Sequence, residues 1–239
     1  MARSTLMHDG RRLTYRDSGG PGRPLLALHG HFSDGRTFAG VAPGRRLIAL
    51  DQRGHGDSDP AADYSRAGYV ADAVAVLDHL GLDRVAVLGH SLGGVNAYQL
   101  AAWHPARVTA LVVEDIGAVV DDDLSFALAW PARTESPSPY VSTRQVADGW
   151  ELTFRPADMV ASQQSLNGDH WADWLASSCP ALLIRGERSR VLARGHAMEM
   201  LARRPRTELV ELQAGHTVHR TVPDAYAAAV ADFLSRTGA

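Results

Sequence analysis

The strongest constraint on the fold is the alternation of short, continuously apolar runs with helix-spaced segments. LLALHG (25–30), LIALDQ (47–52), VAVLGH (85–90), VTALVVED (108–115), ALLIRG (181–186) and ELVEL (208–212) read as strands. Residues 64–80 place Val70, Ala73, Val74, Leu77 and Leu80 on one helix face, and Gly81 stops that helix. Further helical patterns fall at 96–103, near 192–203 and at 223–235. Apolar strands alternating with helices predict an α/β fold: a mostly parallel, doubly wound sheet covered on both faces. In such sheets the chemistry sits at the carboxyl ends of the strands. The loops to read are therefore 29–34, 51–59, 89–94, 114–118, 186–191 and 213–219.

Composition narrows the function. With 239 residues the chain can bury one sizeable core, and 45% apolar with 21% charged residues fits a water-soluble globular protein. A net charge of −3 offers no footprint for nucleic acid. There is no lysine at all, which excludes Schiff-base, pyridoxal-phosphate and P-loop lysines. The single cysteine, Cys179, forms no intrachain disulfide, and a reducing cytoplasm is the expected location. The N-terminus MARSTLMHDGRRL lacks the apolar core of a signal peptide, and no run approaches the ~20 apolar residues of a membrane span. No membrane partner is expected, and nothing marks a seam for a second copy of the chain.

Residues 119–178 break the rhythm. They hold four of the five tryptophans and the loop-forming PARTESPSP (131–139). They read as a helical lid inserted into a core made of 1–118 and 179–239. Phe126, Trp130, Tyr140, Trp150, Trp171 and Trp174 suggest an apolar or aromatic pocket wall; the alternative is that they stabilise the insertion itself.

At 89–94 the run VAVL enters GHSLGG and then a helix. Strand, G-x-S-x-G and helix make a nucleophile elbow, in which side chains at positions 89 and 93 would collide with backbone and Ser91 is exposed on a sharp turn. A phosphate loop would need Gly-Lys-Ser/Thr, which is missing. LALHG (26–30), DQRGHGDSD (51–59), GHSLGG (89–94), HPARVTALVVED (104–115) and AGHTVH (214–219) follow in order. With these motifs the chain resembles the α/β-hydrolase fold superfamily, in its lidded esterase, cofactor-free haloperoxidase and C–C hydrolase branch, over about residues 10–236.

The resemblance implies Ser91 as nucleophile and His216 as general base, with His219 structural. It implies an oxyanion hole made by the backbone N–H groups of His31 and Leu92. Many relatives carry an aromatic or aliphatic residue at position 31, so His31 is a departure; its imidazole adds a donor, lines the acyl pocket or is a solvated loop residue. Asp51, Arg53 and His55 are expected to hold their loop through buried hydrogen bonds. His29-x-His31 is the one tight histidine pair, and no metal and no cofactor are expected.

The triad acid is the open point. Its usual place follows ALLIRG, but Ser189 and Arg190 stand there and Glu187 comes too early in the turn. Some members take the acid from the end of the preceding strand, which here is Asp115. The expectation is Asp115 first, Glu114 second and Glu187 third, with Glu114 on the opposite face of a regular strand.

The function expected is a carboxylic-ester-type hydrolase (class 3.1.1) acting on a small-molecule ester or activated acyl compound through an acyl-enzyme. The alternatives are a C–C hydrolase, cyclase or lyase with the same triad, and a non-catalytic binding module with a disabled one.

Overall fold

The computed structural model describes residues 1–239. The chain opens with a hairpin outside the apolar runs of the sequence: β1 (Ala2–His8) and β2 (Arg11–Asp17), antiparallel. Asp9 and Gly10 turn it with φ of 47° and 73°, the signature of a tight Asp-Gly hairpin turn. Then follow β3 (Pro24–Leu28), β4 (Arg46–Asp51), α1 (Arg66–His79), β5 (Val85–His90), α2 (Leu92–Trp103) and β6 (Val108–Glu114). The inserted segment carries β7 (Val119–Val120), β8 (Arg133–Thr134), β9 (Thr143–Val146), β10 (Gly149–Leu152), α3 (Pro156–Leu166), β11 (Gly168–Asp169) and α4 (Trp171–Ala176). The chain closes with β12 (Ala181–Gly186), α5 (Arg194–Arg203), β13 (Thr207–Leu212), α6 (Val218–Thr221) and α7 (Pro223–Arg236).

The main sheet has the order β1-β2-β4-β3-β5-β6-β12-β13. Only the β1–β2 and β2–β4 pairings are antiparallel; the rest are parallel. Every residue of β5 is buried, which is why its sequence shows no polar alternation. One apolar layer packs Val76, Leu77, Tyr98, Trp174 and Met200 against the sheet, and the other packs Phe38, Tyr226, Val230 and Phe233. Ser65 caps α1, its hydroxyl accepting from the Gly68 N–H, the helix start that the sequence pattern places nearby. No helix is long and apolar enough to cross a membrane.

The inserted segment differs from a helical lid. It contains a three-stranded sheet, β8-β10-β9, as well as α3. Its neck is the antiparallel β7–β11 pair, with Val120 opposite Gly168 and Val119 opposite Asp169. Helix α4, at the end of this segment, packs on the core. Trp174 is fully buried there, its ring edge-on to Tyr98 of α2 at 5.8 Å and its Nε1 donating to the Met200 carbonyl at 3.2 Å. Trp171 stacks under the Arg203 guanidinium at 3.8 Å. These two tryptophans support the core and the surface, not a pocket wall. Phe126 and Trp130 instead join Phe32 and Phe154 in an aromatic cluster beside the 29–34 loop.

Candidate active site

Ser91 leaves β5 at φ 52° and ψ −120° and begins α2. This is a sparsely populated conformation for a residue with a side chain, costing about 1–3 kcal/mol, and it persists only where the surroundings impose it. The surroundings are crowded backbone. A Cβ on Gly89 would run into the Gly93 carbonyl oxygen, and one on Gly93 into the Leu28 carbonyl oxygen. Helix α2 therefore starts at Leu92, four residues before the apolar pattern becomes helical, because Gly93 and Gly94 disguise its first turn. A Cβ on Gly30 would lie 2.7 Å from the His90 ring, so the His29-Gly30 loop presses against the elbow. The His31 and Leu92 backbone N–H groups have no acceptor in the chain.

Asp115 stands where β6 ends and has φ 53°. That left-handed step turns its side chain away from the alternation of the strand. The carboxylate is fully buried. Its Oδ1 accepts from the Gly186 N–H at 3.0 Å, and its Oδ2 accepts from Ser189 Oγ and lies 2.8 Å from His216 Nδ1. His216 follows β13 in the loop before α6, and the His90 Nε2 lies 3.0 Å from its carbonyl oxygen. Ser91 and His216 line the same cavity, and neither Ser91 Oγ nor His216 Nε2 has a partner in the chain. A nucleophile and base that share a site often become hydrogen-bonded only once substrate binds.

Glu114 goes the other way. It accepts from the His219 backbone N–H at 3.0 Å, and its Oε2 lies 2.8 Å from His219 Nδ1. Thr37 Oγ1 lies 2.7 Å from the far nitrogen of the same ring. Burial by itself would raise the Glu114 carboxyl, but the His219 and His90 rings and the bonds donated by His219 outweigh it and hold it down at about 2. Glu114 and His219 thus form a buried brace between β6 and α6. Glu187 is exposed and accepts from Gln213 Nε2, away from His216.

The remaining histidines and the 51–59 loop are structural in their contacts. Gln52 N–H donates to His29 Nε2 at 3.0 Å, and His55 Nδ1 lies 2.9 Å from the Arg53 carbonyl. Burial pushes His29 down to about 4 and His55 to about 3, so both rings are neutral at pH 7. Asp51 accepts from the Gly35 and Asp57 N–H groups, and Arg53 pairs with Asp72 at 2.7 Å. No three His, Cys, Asp or Glu residues cluster as a metal would need.

The cavity at Ser91 holds about 600 Å³. His31, Phe32, Ile116, Leu124, Tyr140 and Leu166 line it, but so do Arg190, Arg220, Asp121 and Asp122. It is more polar than the aromatics of 119–178 suggest: of Phe126, Trp130, Tyr140, Trp150, Trp171 and Trp174, only Tyr140 lines it. The insertion is tied to the 29–36 loop above it: Ser142 N–H donates to the Phe32 carbonyl at 2.7 Å, and Arg36 donates to Ser142 Oγ at 3.0 Å and to the Thr143 carbonyl at 3.2 Å. A groove of about 720 Å³ between β1 and α1 is lined by no serine, threonine or cysteine.

Comparison with known proteins agrees with this architecture. The sequence model of a family described as the alpha/beta hydrolase fold matches residues 23–140. The putative 2-succinyl-6-hydroxy-2,4-cyclohexadiene-1-carboxylate synthase of Bacillus subtilis (strain 168) is 27% identical over 95% of this chain and 96% of its own. The sn-1-specific diacylglycerol lipase ABHD11 of Mus musculus is 28% identical over 88% of this chain and 80% of its own. The crystal structure of E-2-(acetamidomethylene)succinate hydrolase superposes with a TM-score of 0.87, covering 98% of this chain and 99% of that one at 23% identity, a likeness of fold.

Proposed function

Because this chain belongs to the α/β-hydrolase fold superfamily, we propose that it is a serine hydrolase cleaving an ester or activated acyl bond of a small molecule, in the carboxylic-ester-hydrolase class. One observation carries the reading. The buried Asp115 carboxylate lies 2.8 Å from His216 Nδ1, while Ser91 shares the cavity with His216 from a strained elbow. A carboxylate on Nδ1 leaves Nε2 as the proton acceptor and stabilises the imidazolium that forms.

In this mechanism Ser91 Oγ attacks the acyl carbon and His216 Nε2 takes its proton. The oxyanion is held by the His31 and Leu92 N–H groups, which have no other acceptor. The tetrahedral adduct collapses, His216 returns the proton to the leaving alcohol, and an acyl-Ser91 ester remains. Water, deprotonated by His216, attacks that ester, and the proton passes from His216 to Ser91 Oγ as the acid is released. The steps need no cofactor, and a cytoplasmic setting suits a chain with one cysteine.

Intact mass after treatment with a fluorophosphonate tests the reading. A single adduct on wild type that is missing from Ser91→Ala supports it; no adduct on wild type defeats it and favours a binding module. The end-to-end likeness to a named synthase favours a second reading, in which the same three residues run C–C cleavage or a lyase step. Turnover of vinylogous diketones but not of simple esters would select it.

A further inference from the structure

We propose that the His31 imidazole is a substrate-binding hydrogen-bond donor that selects acyl groups bearing an oxygen on the carbon α to the scissile carbonyl. The proposal rests on the reading of Ser91 as nucleophile and of the His31 backbone N–H as part of the oxyanion hole.

The His31 ring does not hang free in its loop. Its Nε2 lies 2.9 Å from Ser162 Oγ on α3, and the Tyr69 hydroxyl of α1 lies 2.8 Å from the same oxygen. Ser162 is fully buried and Tyr69 nearly so. Ser162 Oγ has no third partner, and accepting from both would leave its own proton buried without an acceptor, so it donates to one and accepts from the other. Arg66 decides the direction. Its guanidinium lies over the Tyr69 ring at 4.6 Å, and its three nitrogens are buried without any hydrogen-bond partner. A cation against a phenol makes the phenol the stronger donor, while burial keeps it protonated, pushing it up to about 12. Tyr69 therefore donates to Ser162, and Ser162 donates to His31 Nε2.

An imidazole that accepts at Nε2 and is neutral has its proton on Nδ1. Burial holds His31 far below the usual imidazole range, and the nearby His55, Arg66, His29 and His216 push the same way. Nδ1 makes no bond within the chain and is open to the cavity that His31 lines. A neutral N–H donor is thus fixed in direction by a relay of two buried hydroxyls. His31 thus offers two N–H groups to the cavity that Ser91 lines, one from the backbone for the carbonyl oxygen and one from the ring for an atom of the acyl group beside it. The ring leans from the loop toward α3, along the wall where Gln163 and Leu166 lie. Ser162 and Tyr69 are positioning residues that act through His31.

The test compares aryl methoxyacetate with aryl butyrate, whose acyl chains differ by one oxygen for one methylene. The ratio of their kcat/KM values in wild type, divided by the same ratio in a variant, cancels their intrinsic reactivities. His31→Phe is expected to lower the preference for methoxyacetate about tenfold, the worth of one hydrogen bond. His31→Asn, whose amide keeps a donor near the Nδ1 position, is expected to retain most of it. Ser162→Ala should lower the preference less than His31→Phe, and the double variant no further than His31→Phe alone. An unchanged ratio in a folded His31→Phe protein overturns the proposal. A ¹⁵N NMR measurement of the His31 ring, which needs no turnover, is expected to show the Nδ1–H tautomer; the Nε2–H tautomer overturns the relay. If the fluorophosphonate adduct fails while the Nδ1–H tautomer is found, the function is wrong and the relay stands.

Discussion

Ser189 donates its hydroxyl to the same Asp115 oxygen, Oδ2, that lies 2.8 Å from His216 Nδ1. The position where relatives usually carry the triad acid thus holds a group that supports an acid from another strand. Asp115→Asn is expected to cut kcat by about 10²-fold or more, because the imidazole loses its orienting carboxylate. Ser189→Ala should cost only about threefold to tenfold, one hydrogen bond to a carboxylate that keeps the Gly186 N–H. Steady-state kinetics on any ester that is turned over measures both. Full activity in Asp115→Asn with loss in Glu187→Gln would reverse the assignment.

The same relationship predicts a relocation. A side chain at 189 already reaches the carboxylate that touches His216, so the double variant Asp115→Asn/Ser189→Asp is expected to recover at least about tenfold over Asp115→Asn alone. No recovery in a folded double variant would mean that position 189 supports the acid without being able to replace it.

Glu114 is expected to matter for stability. Its folded-state carboxyl lies at about 2, below the ordinary value of 4.5. A depressed carboxyl contributes stability that is present above about pH 4.5 and is lost as the pH falls toward 2. Glu114→Gln should therefore unfold at lower denaturant, by roughly 1–3 kcal/mol at pH 7, with the gap to wild type shrinking between pH 4.5 and pH 2. A gap that stays constant over that range would show that the pair with His219 is not its source.

The elbow glycines make a structural contrast. Gly93→Ala pushes a methyl into the Leu28 carbonyl, a fixed backbone atom, and is expected to destabilise by more than about 3 kcal/mol or to abolish soluble expression. Gly195→Ala, in α5 with nothing within 4 Å of the added carbon, is expected to raise Tm slightly through helix propensity. Thermal melts of the two variants decide the matter.

How much of this was legible in the sequence depended on how local the signal was. The central strands were, because full burial writes itself as an unbroken apolar run in β5 and β12. The split between Glu114 and Asp115 was only partly so: strand alternation separates adjacent residues, but β6 ends at Glu114 and the left-handed step at Asp115 departs from that alternation. The β1–β2 hairpin writes a weaker signal, because β1 is half-exposed and its alternation is weak, though Asp9-Gly10 marks the turn. Nothing beside Trp174 in the sequence tells that α4 packs on α2; its burial is explained by Tyr98, 76 residues earlier in the chain, and by Met200. Ser189 carried no signal, since its meaning lies in a carboxylate 74 residues away.

The backbone crowding around Ser91 has one last consequence. Glycines and carbonyl oxygens fix where residue 91 stands, and its side chain plays no part in holding it there. The architecture specifies an address and leaves the occupant open. A thiol or a carboxylate placed at 91 would be delivered to the same point of the same cavity, so the kind of reaction begun there can change by a single codon while the scaffold stays still.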